Sequence, residues 1–210
     1  MKKLLDRKTL NHLANSLKPN LPSLLTASFF FIFGISTGTA MEVFLKWDTK
    51  KNLFSFLASG FSKDIASTGD LMTVFRISCL QNMGLLILIA LSGFTLIGFP
   101  LIFVSLAYKG ATLGFASTLL MDALGVKGVF LTALTLIPPN IIILPALLLS
   151  AVMAIDYSTS LIRWRQGSVI YFIKKNGKNY LTLQLFLLLL TFVGSFIDGF
   201  ICPFFQRLII

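Results

Sequence analysis

The stretch Gly128–Ile155, GVFLTALTLIPPNIIILPALLLSAVMAI, contains no charged residue. It is longer than the roughly 20 apolar residues that an α-helix needs to cross a bilayer. Four further charge-free stretches occur along the chain: Pro19–Met41, Ile77–Tyr108, Gly110–Met121 and Asn179–Ile197. The pattern predicts an all-α, polytopic membrane bundle of five transmembrane helices, forming one integral membrane domain over residues 1–210.

The composition excludes an ordinary soluble domain. Charged residues make up 12% of the chain and hydrophobic residues 56%, with a mean hydropathy of +0.86, whereas a soluble domain carries about 25% charged residues. The net charge of +10 is typical of basic residues that flank membrane spans. Since no basic cluster alternates with stacking aromatic residues, we expect the partner to be the lipid bilayer and no nucleic acid.

The distribution of Lys and Arg predicts the orientation of the chain. With a cytoplasmic N-terminus and five crossings, eleven basic residues lie inside and seven outside, which satisfies the positive-inside rule. Residues 1–18 are then a basic cytoplasmic tail, 46–76 an extracytoplasmic amphipathic segment and 156–178 a basic cytoplasmic loop. The first apolar stretch exceeds the 7–15 residues of a signal-peptide core. We therefore expect an uncleaved first span, an N-in/C-out topology and a multi-pass protein of the cell membrane.

The third stretch, Gly110–Met121, is short. As a helix it would extend only about 18 Å, against a hydrocarbon core of about 30 Å. Two structures are possible: a span extended through Asp122–Val126, or a re-entrant loop. A re-entrant loop would move the basic residues of 156–178 outside, so the charge count favours a short third span.

Proline residues interrupt the fourth stretch. Pro138, Pro139, Asn140 and Pro145 predict a helix break, because proline removes a backbone hydrogen bond and clashes with the preceding turn. One alternative is a kinked helix sealed by its neighbours. The other is a broken helix that lines a polar cavity, as in transporters.

Small residues recur at the spacing that lets membrane helices approach closely. Gly34 and Gly38 form one GxxxG pair, and Gly110 and Gly114 form a second. The first pair also matches the G-x-S-x-G pattern of hydrolases. We attribute that match to chance, because the only histidine, His12, lies upstream of it.

The outer segment carries an apolar residue every three or four positions. Phe54, Leu57, Phe61 and Ile65 would share one face of a helix. Such a face either rests on the outer leaflet or docks an extracytoplasmic partner. These four residues are the candidate docking residues.

The sequence contains no candidate for a catalytic, cofactor-binding or metal-binding site. No cluster of metal-ligating residues and no glycine-rich phosphate loop is present, so we expect no catalytic, cofactor-binding or metal site and no cofactor. Cys79 and Cys202 are interpreted as small apolar residues, and acidic residues such as Glu42 as solvated loop residues. Lys109 and Asp198 are placed near span ends, which argues against a proton-coupled pump.

The central third of the chain resembles a known family. The order Cys79-Leu80-Gln81-Asn82, Gly98-Phe99-Pro100, Tyr108-Lys109-Gly110 and Leu136-Ile137-Pro138-Pro139-Asn140 is similar to that of stage II sporulation protein M. The wider family tends to have Asn-Gly at Lys109-Gly110 and Pro-His-Gly at 138–140, so the sporulation branch is the more similar one.

The resemblance implies a function. It implies a non-enzymatic membrane scaffold that anchors stage II sporulation proteins D and P, which degrade peptidoglycan, during engulfment of the forespore. A small transporter or channel built on the broken fourth span is the alternative, and a homo-oligomer stays open.

Overall fold

The computed structural model describes residues 21–62, 68–95, 98–163 and 169–202. These ranges form six α-helices, five of which are long and apolar enough to cross a membrane, as predicted. The helices are α1 (Leu21–Val43), α2 (Trp47–Ser62), α3 (Thr68–Gly93), α4 (Phe99–Leu124), α5 (Val126–Arg163) and α6 (Val169–Phe196), which continues as a π-helix over Ile197–Ile201. The spans are α1 and α3–α6, and α2 lies between the first two.

The prediction of a short third span is wrong. The third span is α4, a helix of 26 residues that contains Lys109 near its middle. Charge-free stretches failed to mark this span because the residues between the end of α3 at Gly93 and the start of α4 at Phe99 carry no charge. A Cβ atom at Gly98 would overlap the carbonyl oxygen of Ser92, so the tight turn requires glycine there. Pro100 then lies in the first turn of α4, where proline is well tolerated.

The prediction of a broken fourth span is also wrong. A single helix of 38 residues, α5, runs through Pro138, Pro139 and Pro145. In a membrane, proline is tolerated where the freed carbonyl groups find other partners. Pro139 cannot bond the Thr135 carbonyl oxygen, and the Sγ of Cys202 donates to that oxygen at 3.1 Å. The Asn140 side chain instead bonds its own helix, with Nδ2 donating to the carbonyl oxygen of Leu136 at 2.7 Å.

The protein core lies where the spans meet. Its fully buried side chains are small or aliphatic, and among them are Ala27 of α1, Leu86 of α3, Ile102 of α4, Leu147 of α5 and Leu187 of α6. The outward faces of the same helices are equally apolar. Because both sides of each helix are apolar, burial follows from close packing between helices and the outward side chains contact lipid.

Polar contacts link helix ends that lie on the same side of the bundle. The Ser23 Oγ, at the start of α1, donates to Asp156 near the end of α5 at 2.6 Å. On the opposite side of the bundle, where α1 and α4 end, Lys50 of α2 contacts both Glu42 and Asp122. These pairings fit five alternating crossings. With Lys109 inside a span, ten basic residues are expected inside and seven outside, so N-in/C-out stays the predicted orientation.

We predict that a cysteine at position 176 faces the cytoplasm and a cysteine at position 49 faces outward. Asn176→Cys and Thr49→Cys would be made in a Cys79→Ala, Cys202→Ser background, in which serine preserves a donor to Thr135. A membrane-impermeant thiol reagent applied to intact cells should label position 49 alone, while both positions label after permeabilisation. Labelling of position 176 in intact cells would contradict the predicted N-in/C-out orientation.

Candidate functional site

Two glycine pairs bring the backbones of α1 and α4 into contact. A Cβ atom at Gly34 or Gly38 would overlap the carbonyl oxygen of Ala107 or Ala111, respectively. The reverse holds on α4, where a Cβ at Gly110 or Gly114 would overlap the carbonyl oxygen of Phe31 or Ile35. The structure therefore places all four GxxxG residues at one crossing, which we call the glycine crossing.

An ion-pair cluster closes the end of this crossing that is predicted to face outward. The Lys50 Nζ lies 2.9 Å from Glu42 Oε1 and 2.8 Å from Asp122 Oδ2. The Glu42 side chain is fully buried, whereas that of Asp122 is about half exposed at 47%. We call these three residues the outer clamp, since they tie α2 to the ends of α1 and α4.

The clamp keeps its positive charge. The hydrogen bond to Asp122, followed by the bond to Glu42, raises the pKa of Lys50 above its ordinary value of 10.5. A raised pKa means that folding favours the protonated form. The contribution of the ion pair to stability is therefore complete below the ordinary pKa, and it is lost only as the pH rises through the higher pKa of the folded state.

The interpretation of Glu42 as a solvated loop residue is wrong. Its side chain is buried because it continues the face of α1 on which Gly34 and Gly38 lie, at the same four-residue spacing. That spacing is a sequence signal for burial against α4, and a buried carboxylate requires a cation. Lys50 supplies it from α2.

A small pocket lies beside the clamp, between α2 and the C-terminal end of α4. Its volume is about 230 Å³, and it is lined by Trp47, Lys50, Lys51, Leu119, Asp122 and Ala123. The Trp47 side chain is 67% exposed, and Phe44 in the preceding turn is 86% exposed. Exposed aromatic rings at the end of a span are typical of the membrane–water interface.

Three of the four candidate docking residues lie on α2. Phe54, Leu57 and Phe61 fall within Trp47–Ser62, and their side chains are outside the described part of the structure. Ile65 lies outside the described residues altogether. The helical spacing that predicted a common face is therefore present for three positions, and the docking role stays a prediction.

A polar chain runs between the spans of the bundle, with Asn82 and Ser78 buried at its centre and its two charged ends half-buried. The Lys109 Nζ of α4 donates to Asn82 Oδ1 of α3 at 2.6 Å. The Asn82 Nδ2 donates to Ser78 Oγ at 3.1 Å, and the Ser78 hydroxyl donates to Asp198 Oδ2 at 2.6 Å. Each group donates toward the carboxylate, so the bonds reinforce one another from cation to anion. The Asn82 Nδ2 also lies 3.4 Å from Ser195 Oγ.

The acidic end of this polar chain lies on the π-helix. A π-helix inserts an extra residue into a helical turn, and such turns are frequent at functional sites. Here the turn includes Asp198 and buried Gly199, where a Cβ atom would press against Phe75 of α3. The distorted turn thus brings Asp198 within reach of Ser78.

Lys109 and Asp198 were both predicted to lie near span ends, and for Lys109 this prediction is wrong. It lies inside α4 and is bonded to a neighbouring span. Counting a helix forward from Pro100 would have placed Lys109 in the middle of a span. Ionisable residues at such depth usually mark functional paths or structural pairs.

Within 21–62, 68–95, 98–163 and 169–202, no group of three or more His, Cys, Asp or Glu side chains is arranged to hold a metal ion.

We predict that Asn82→Leu destabilises the protein more than Lys109→Met. The first substitution leaves a charged amine without its partner, which costs about 3 kcal/mol. The second leaves the Asn82 amide oxygen unpaired, which costs about 1 kcal/mol, while Asp198 loses a distant countercharge but keeps its hydrogen bond from Ser78. Unfolding in detergent measures both, with Lys127→Met as a control that removes a lysine outside this polar chain.

The double variant separates charge burial from packing. Lys109→Met combined with Asn82→Leu should be more stable than Asn82→Leu alone, because the stranded charge is gone. A double variant no better than Asn82→Leu would show that Asn82 acts by packing, and would contradict a charge-bearing polar chain.

The comparison with known proteins places the chain in a family. The model of the family described as stage II sporulation protein M matches residues 25–203, which is most of the chain. No curated protein and no solved structure matches this chain. The match spans all five apolar helices, so this is a multi-pass membrane protein. The chain belongs to the stage II sporulation protein M family.

Proposed function

We propose that the protein is a non-enzymatic scaffold in the cell membrane, which holds a peptidoglycan-degrading complex in place during forespore engulfment. The partners are the stage II sporulation proteins D and P that the family resemblance implies. The observation that carries the proposal is the outer clamp, because it fixes a surface helix to the extracytoplasmic end of the bundle.

The clamp makes α2 suitable as a docking element. A short helix outside the bilayer has little stability of its own. The ion pairs of Lys50 with Glu42 and Asp122 hold its first turn against two spans. A helix held in this way loses less freedom when a partner binds, so more of the contact energy appears as affinity.

A scaffold also fits the distribution of polar groups. On the outer side, the described surface around α2 presents Phe44, Trp47 and Lys51. Aromatic residues are enriched at protein interfaces. In this proposal the chemistry belongs to the partner enzymes.

A transporter or channel is the second candidate, and the polar chain favours it. Lys109 and Asp198 are ionisable groups in spans, linked through Asn82 and Ser78. Such groups line ion and proton paths in membrane proteins. Ion flux through reconstituted vesicles, lost in Lys109→Met, would favour this candidate over the scaffold.

We predict that release of α2 weakens partner recruitment. Lys50→Met removes both ion pairs and leaves Glu42 buried without a cation. Co-purification of the stage II sporulation proteins D and P from sporulating cells should fall, while membrane abundance is measured in the same samples. Lys46→Met is the matched control, because it removes an exposed lysine one turn earlier.

The apolar face of α2 is tested separately. A variant carrying Leu57→Ser and Phe61→Ser should insert normally and lose its partners, whereas Asn52→Ser on the same helix should keep them. Retained co-purification in a well-inserted double variant would refute docking through α2 and leave this helix resting on the outer leaflet.

A further inference from the structure

A groove opens toward lipid where α1, α4 and α5 meet. Its volume is about 300 Å³, and its walls include Ile35 of α1, Gly114 of α4 and three residues of α5: Thr132, Ile137 and Asn140. The Ile137 side chain is 52% exposed, so the groove faces the surroundings of the bundle. At this depth those surroundings are acyl chains or another protein.

Two polar oxygens at this groove lack a partner. Thr132 is 8% exposed, and its Oγ1 has no hydrogen-bond partner within the described part of the chain. The same is true of Asn140 Oδ1. Acyl chains cannot supply hydrogen bonds, so each oxygen stays uncompensated in a lone protomer.

The outward face of α3 has the complementary chemistry. Gln81 is exposed, and its amide has no hydrogen-bond partner among the described residues. Gly84 lies three residues later on the same face, and a Cβ atom there would meet nothing within 4 Å. The face therefore offers unpaired amide hydrogens, with partial positive charge, beside a point of close backbone approach. The groove covers two oxygens with partial negative charge, which are buried and become reachable only when their side chains rotate.

The two surfaces lie at the same depth in the membrane. Asn82, next to Gln81, contacts Ser195 of α6. Next to Ser195, a Cβ atom at Gly194 would lie 3.4 Å from the carbonyl oxygen of Pro139, which precedes Asn140. The level of Gln81 is thus the level of Asn140. Two copies inserted in the same orientation would bring these residues together without vertical displacement.

The directions of the two helices also agree. Helices α3 and α5 run in the same direction across the bundle, because each follows an odd number of crossings.

We propose that a second copy of this protein packs the outward face of α3 into the groove. The Gln81 amide of one copy donates to Asn140 Oδ1 of the other, after a small shift of the Asn140 side chain. Gly84 lets the two backbones approach. Because the two surfaces differ, the contact is heterologous, and repetition closes a ring when the rotation allows it. This inference goes beyond the proposed scaffold and involves no partner protein.

Disulfide crosslinking between co-expressed copies tests the contact. One copy carries Gln81→Cys and the other Asn140→Cys, both in the Cys79→Ala, Cys202→Ser background and with different tags. Mild oxidation in native membranes should give a dimer that contains both tags. Copies that carry the same cysteine should give little dimer, since the contact joins unlike surfaces.

Val193→Cys provides the control. Val193 is 50% exposed on α6, next to Gly194, and so lies at the same depth as Asn140. Random collisions would crosslink a cysteine at position 193 with one at position 140 as readily as they would crosslink positions 81 and 140. Equal crosslinking of both pairs, or no 81–140 dimer, would overturn the proposal.

A second measurement needs no cysteine. Gln81→Leu and Asn140→Leu should each abolish co-capture of one tagged copy by the other in mild detergent, while Val193→Leu leaves co-capture unchanged. Unaltered co-capture in both polar variants would contradict the contact. Neither result bears on recruitment of extracytoplasmic partners, which is measured separately.

Discussion

The backbone contact between α1 and α4 is the constraint from which the rest of the arrangement follows. Gly34, Gly38, Gly110 and Gly114 lack the Cβ atoms that would otherwise overlap facing carbonyl groups. In lipid, the hydrophobic effect does not drive helices together, so close packing of this kind supplies much of the attraction. The stacked rings of Phe30 and Phe103, with centroids 4.4 Å apart, extend the same contact.

Three functional features take their positions from that crossing. Glu42 lies one turn beyond Gly38 and is buried by α4, which creates the need for Lys50 and so fixes α2. Lys109 directly precedes Gly110 and therefore points away from α1, toward Asn82. Gly114 and Ile35, which meet at the crossing, also form part of the wall of the lipid-facing groove. The outer clamp, the polar chain and the groove are consequences of one close approach.

Hydropathy predicted the number of spans, because no other arrangement buries so much apolar surface with so few charges. The four-residue glycine spacing also pointed to residues that the structure brings together. The boundaries of the third span were wrong because charged residues were taken to mark the ends of spans. No charged residue lies just after Gly93, and Lys109 lies inside α4. Charged residues therefore do not mark the ends of this span.

Other features depend on partners distant in sequence. The partner of one carbonyl oxygen in the unbroken α5 could not be predicted, because the oxygen freed by Pro139 accepts from Cys202 on a different helix. The polar chain likewise joins Lys109, Ser78 and Asp198 from three different helices. No local pattern shows that these residues meet.

The most direct test of the glycine crossing is the addition of one methyl group at each of three glycines. In an ordinary helix, Gly→Ala stabilises by up to about 1 kcal/mol. Gly84→Ala, which meets open space within one copy, should leave the thermal midpoint of the detergent-solubilised monomer unchanged or slightly higher. Gly34→Ala and Gly110→Ala should lower it clearly, because each methyl group meets a facing backbone that cannot yield. Equal midpoints for all three variants would contradict the account.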